Sequence, residues 1–193
     1  MISLSVILLA LGLIAGLARG GKLSNIAAAD FEKSWLVFVG LAIQVSAELY
    51  AAFVDGSLRE GGRGIAILAF SYIFLITFVI LNRRLPGAWL IAAGLGLNLL
   101  VIVPNGGMPV SLRASAIAGF DPSSYLDSAI KHREMGPDTV LWFLGDVIPM
   151  PFIKKVVSVG DLVLGLGIFV LTERLVRYSP KRLRPSGEVP IPD

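Results

Sequence analysis

Apolar residues fall in five long runs, 2–18, 35–54, 64–82, 87–103 and 156–176, each bounded by charges, prolines or glycine-bearing turns. A helix rises about 1.5 Å per residue, so roughly 17–25 such residues cross the hydrocarbon core of a bilayer. The pattern predicts an all-α, polytopic membrane protein: one domain over 1–177 with five transmembrane helices, a large extracytoplasmic loop over 104–155 and a disordered basic tail over 178–193. The first run has its charges, Arg19 and Lys22, behind it, whereas a cleaved signal peptide has them in front, so a retained helix is expected. Gly12, Gly16 and Gly20 recur every fourth residue, placing a smooth stripe where another helix can approach closely, either from this chain or from a second copy in a homo-oligomer.

The segments between the runs are read from their punctuation. Residues 25–33 suggest a short interfacial piece, and 55–63 (DGSLREGGR) a polar turn. The stretch PNGGMPVS after the fourth run marks a sharp exit from the membrane. Within the outer loop, 123–133 is expected as a short helix. Residues 139–148 are apolar but too few to span, which suggests a re-entrant or surface-lying segment.

Composition sharpens this picture. Of 193 residues, 55% are hydrophobic and 16% charged, and the mean hydropathy is +0.78, whereas soluble domains carry about a quarter charged residues. The absence of cysteine excludes disulfides and thiolate chemistry, and a single histidine, His132, is too few for a histidine-built metal centre. A net charge of +3 arises from basic residues beside apolar runs rather than from a basic face, so no nucleic-acid partner is expected and the bilayer is. With the N-terminus outside, the inner side holds Arg19, Lys22, Lys33, Arg83, Arg84, Arg174, Arg177, Lys181, Arg182 and Arg184. The outer side holds Arg59, Arg63, Arg113, Lys131, Arg133, Lys154 and Lys155. This bias favours an N-out, C-in orientation.

That orientation gathers polar groups at one depth. Glu48, Asn98 and Asp161 each fall five or six residues from the outer end of their runs, roughly 7–9 Å below it. Asn105, Ser158 and Asp146 lie on the outer-loop side. Ionisable groups at membrane depth are costly and read as functional by default. Structural alternatives stand beside each reading. Glu48 could pair with a base and Asn98 could bond helix to helix. Asp146 could face Lys154 or Lys155. Ser158-Val159-Gly160-Asp161 fits a helix-capping pattern, and His132, between Lys131 and Arg133, reads as a solvated surface residue. In the functional reading, Asp146 and Asp161 form a catalytic dyad that shares a proton, one activating water while the other protonates the substrate. Asn98, Glu48, Asn105 and Ser158 then bind substrate, and neither metal nor cofactor is needed.

Two resemblances bear on this. Most of the chain, especially NRRLPGAWLIAAGLGLNLLVIVPNGGMPVS and LGDVIP with SVGDLVLGLGIF, resembles a family of small bacterial membrane proteins of unknown function, which implies the bacterial cytoplasmic membrane but no activity. The C-terminal part is similar to prokaryotic lipoprotein signal peptidase, an intramembrane aspartic enzyme, through GLGLNL, LGDVIP and SVGDLVLGLGIFVL. That likeness implies Asp146 and Asp161 as the dyad, Asn98 as the supporting amide, and a membrane-anchored peptide or lipid as substrate. The sequence departs from the peptidase at Leu99-Leu100, where it has Asp-Arg, at Ser158, where it has asparagine, and at Gly160, where it has alanine. The alternatives are a protein that binds or transports a lipid headgroup or small solute, and a non-catalytic accessory subunit.

Overall fold

The computed structural model describes residues 4–54, 62–119 and 132–178. The expected turn over 55–63 and helix over 123–133 fall largely outside these residues, and the expected tail falls outside them beyond Tyr178.

Each apolar run forms a helix: α1 (Leu4–Ala18), α3 (Trp35–Phe53), α4 (Gly62–Leu81), α5 (Ala88–Asn105) and α7 (Val159–Arg177), with a one-turn α2 (Ser24–Ala27) after the first. Three of them, α3, α4 and α5, are long and apolar enough to cross a membrane. Helix α1 is apolar over 15 described residues, and α7 carries Asp161, Glu173, Arg174 and Arg177 among its 19. Large side chains point outward, with Phe38 71% and Phe53 83% exposed. Apolar groups so widely exposed require an apolar surrounding, and the three spans suggest that it is a membrane.

The helices pack in the order α1–α7–α5–α4–α3, so the helix latest in sequence sits between the first and the fourth long one. Glycine makes this possible. A Cβ at Gly12 would lie 2.7 Å from the Phe169 carbonyl oxygen, and one at Gly16 would lie 2.8 Å from Val176 Cβ. The smooth stripe of α1 is therefore filled by α7 of the same chain, with the two helices running parallel. Gly20 instead takes a left-handed φ of 82° just past the end of α1. On the other side of α7, a Cβ at Gly94 would lie 2.5 Å from Leu164 N and 2.6 Å from the Gly160 carbonyl oxygen, in an antiparallel crossing. At one end of α7, the buried Glu173 carboxylate accepts from Arg19 of α1 at 2.8 Å and from Arg177 at 2.9 Å, and Arg174 stands 3.5 Å away.

The stretch from 108 onward is not purely helical, which corrects the all-α expectation. Strand β1 (Met108–Val110) pairs in parallel with β2 (His132–Glu134), with Met108 opposite His132. Strands β3 (Ile148–Met150) and β4 (Lys155–Val157) form an antiparallel hairpin around a 3-10 turn, with Lys154 left-handed at φ 49°. Helix α6 (Leu112–Ala118) lies on this hairpin, burying Ala114 and Ala118 against Val156. Residues 132–133, expected to close a helix, lie in β2. The apolar segment 139–148 holds only a 3-10 turn at Trp142–Leu144, after which Asp146 bridges to Val110 and β3 begins. Strands of three residues are too short to show an alternating pattern in sequence.

Candidate functional site

The start of α7 is built by Ser158. Its extended backbone (φ −88°, ψ 165°) and its Oγ, accepting from Asp161 N at 2.9 Å, make it the N-cap, and Asp161 accepts in return from Ser158 N at 3.5 Å. The capping pattern read from the sequence is thus formed, and it is also tied to the neighbouring helix. Ser158 Oγ donates to Asn98 Oδ1 at 2.8 Å, while Asn98 Nδ2 donates to Asp161 Oδ1 at 2.8 Å. Asn98, Ser158 and Asp161 therefore close a ring between α5 and α7. Gly160 makes room for it, since a Cβ there would collide with the Asn98 amide oxygen. Ser158→Ala removes the cap and leaves the buried Asn98 oxygen without its donor. It is expected to lower stability by about 1–2 kcal/mol, read as a lower melting midpoint in detergent.

Asp146 is fixed from the opposite side. Its N–H donates to the Pro109 carbonyl at 2.8 Å, and its own carbonyl accepts from Ser111 N at 3.0 Å, locking the residue against β1. The residue is 2% exposed. Its Oδ2 lies 3.7 Å from His132 Nε2, with both side chains buried. On β2 the His132 side chain is enclosed beside Asp146, while the exposed Arg133 donates to the Asn105 carbonyl at 3.0 Å. The sequence reading of His132 as a solvated residue is thereby corrected.

Both carboxylates line one cavity of about 380 Å³, together with Gln44, Tyr72, Asn98, His132 and Lys155. The remaining lining is mostly aliphatic, including Leu41, Leu75, Leu95, Ile102 and Leu164. The polar side chains, Ser5 of α1 among them, come also from α3, α4, α5, β2, β4, α7 and the link before β3, so the cavity exists only in the assembled fold.

The other candidate residues lie elsewhere. Glu48 lines a separate apolar groove with Gln44, Gly64 and Leu68. Asn105 ties the end of α5 to the segment at Val140: its Nδ2 donates to the carbonyls of Val101 at 2.7 Å and Val140 at 2.9 Å, and its Oδ1 accepts from Val140 N at 2.9 Å. Ser158 reaches the site through Asn98. Gln44, one turn before Glu48, is the polar α3 residue at the cavity, and it donates to Ser71 Oγ at 2.9 Å. Among the described residues, no cluster of three or more His, Asp or Glu has metal-ligand geometry.

A family of unknown function, DUF5317, matches residues 28–172. The chain belongs to this family. The matched stretch contains the polar residues of the cavity from Gln44 to Asp161, with Ser5 of α1 outside it. A relative in Thermotoga maritima, described as an uncharacterized protein, is 33% identical to this DUF5317 member over 125 residues, which is 61% of this chain and 69% of the relative. No solved structure matches it significantly. The resemblance to a family of unknown function is thus supported, and these findings do not extend it to lipoprotein signal peptidase.

Proposed function

We propose that this DUF5317 protein is an intramembrane aspartic hydrolase acting on a membrane-anchored peptide or lipid. One observation carries the reading: Asp146 and Asp161, brought from different elements, line the same cavity, whose wall mixes polar and aliphatic side chains. In this reading one carboxylate takes a proton from a water molecule as its oxygen adds to the substrate carbonyl. The other donates a proton to the leaving nitrogen or oxygen as the C–N or C–O bond breaks. Asn98 and Ser158 hold Asp161 in place, and Tyr72 and Gln44 add to the polar lining.

The same reading places α1 and α7 in the bilayer with α3, α4 and α5, giving five crossings of the bacterial cytoplasmic membrane with the N-terminus outside. The parallel run of α1 and α7, and the antiparallel pairings α3–α4 and α5–α7, agree with such alternation. A second reading, capture of a lipid headgroup or small solute, draws on Lys155 and His132, which give the cavity basic as well as acidic groups.

The deciding experiment reconstitutes wild type, Asp146→Asn and Asp161→Asn in phospholipid vesicles holding a panel of lipid-anchored peptides, with products read by mass spectrometry. Turnover by wild type alone supports the hydrolase. Equal turnover by all three overturns it, and retention of a lipid without turnover favours the second reading.

A further inference from the structure

The buried histidine is the residue of this cavity that neither the sequence nor the hydrolase chemistry called for. A two-carboxylate site needs no imidazole, yet His132 Nε2 stands 3.7 Å from Asp146 Oδ2, and both side chains are almost wholly enclosed. An imidazole in an apolar enclosure carries a proton only where an anion faces it. We infer that His132 is a positioning residue for Asp146: it orients the carboxylate and carries the proton that a symmetric aspartic pair would share between its two acids. The two aspartates are then unequal. Asp161 is held by the amide of Asn98 and the cap of Ser158, and Asp146 by an imidazole that can gain or lose charge.

The groups around the imidazole are few. Asp146 is nearest, and Asp161 of α7, Tyr72 of α4 and Lys155 of β4 line the same cavity. Arg133 and Glu134 follow it on β2, where Arg133 is turned to the Asn105 carbonyl. Of these, the Asp146 carboxylate is the group in ion-pair contact with His132. The relevance of the pair to turnover rests on the hydrolase reading, whereas the pair itself can be tested without substrate.

His132 is the chain's single histidine, so one imidazole resonance reports it in the intact protein. Titrating ¹⁵N-histidine-labelled protein in detergent micelles by NMR, Asp146→Asn is expected to lower the imidazole midpoint by about one to three pH units, the effect of losing an opposite charge at this range. Asp161→Asn and Lys155→Met should each move it less. An unchanged midpoint in Asp146→Asn, with the fold intact by circular dichroism, overturns the inference. A larger shift in Asp161→Asn than in Asp146→Asn overturns it too. Where turnover is measurable, His132→Gln should displace the pH profile and His132→Asn should not restore it. A fall in rate with an unmoved profile would reduce His132 to a packing role. Because the titration needs no turnover, it stands or falls apart from the hydrolase proposal.

Discussion

Gly94→Leu is expected to destabilise the protein by about 3 kcal/mol or more, while Gly96→Leu on the same helix should change stability by less than about 0.5 kcal/mol. At Gly94 the backbones of α5 and α7 meet, and even a Cβ would come within 2.5 Å of Leu164 N and 2.6 Å of the Gly160 carbonyl. Backbone atoms cannot turn aside as a flexible side chain can, so the two helices must separate. At Gly96 nothing lies within 4 Å, and a leucine enters open space beside the helix. Thermal inactivation in a single detergent, followed for both variants, checks this. Similar midpoints for the two would mean that α5 and α7 do not cross at Gly94. The same separation withdraws Asn98 from Asp161, so Gly94→Leu should also abolish any turnover.

Asp161→Asn and Asp146→Asn should each lower turnover by about 10²- to 10⁴-fold, the usual contribution of a positioned acid or base. The amide keeps the shape of the carboxylate and an oxygen that can still accept a hydrogen bond, so Asp161→Asn retains most of the cap. Its stability should fall by about 1 kcal/mol at most. A residue that only caps α7 would behave otherwise, with a small loss of stability and full turnover. Asp146→Asn leaves the His132 pair without its anion, and a somewhat greater loss of stability accompanies its loss of rate. Measuring rate and melting midpoint on the same preparations separates the two roles. Full rates in either variant would remove that aspartate from the chemistry.

The helices were legible because each apolar run is long, and the described ends agree with the sequence to within a few residues. The Ser158 cap and the glycine stripe were legible for the same reason, since both are local patterns of fixed spacing. The meeting of Asn98 with Asp161 followed from matching depths on separate runs, although Glu48, at the same nominal depth, lies on another groove. Depth along a helix is readable from sequence, but the rotation that decides which face a residue shares is set by packing. The strands after Asn105 were missed because three-residue strands leave no period. His132 was misread with them, since the exposed Arg133 beside it on β2 gives no sign of the Asp146 carboxylate that His132 meets. Gly160 counted as a departure from the peptidase, yet the Asn98 amide occupies the place a methyl group would take.

The central position of α7 has a consequence for biosynthesis. During translation α1 emerges long before the helix that covers its glycines, and the contact between Arg19 and Glu173 waits for 154 further residues. Until then α3, α4 and α5 can associate, but the groove that receives α7 stands open. The nascent protein therefore carries no assembled site, and docking of a single late helix both closes the bundle and switches the cavity into existence.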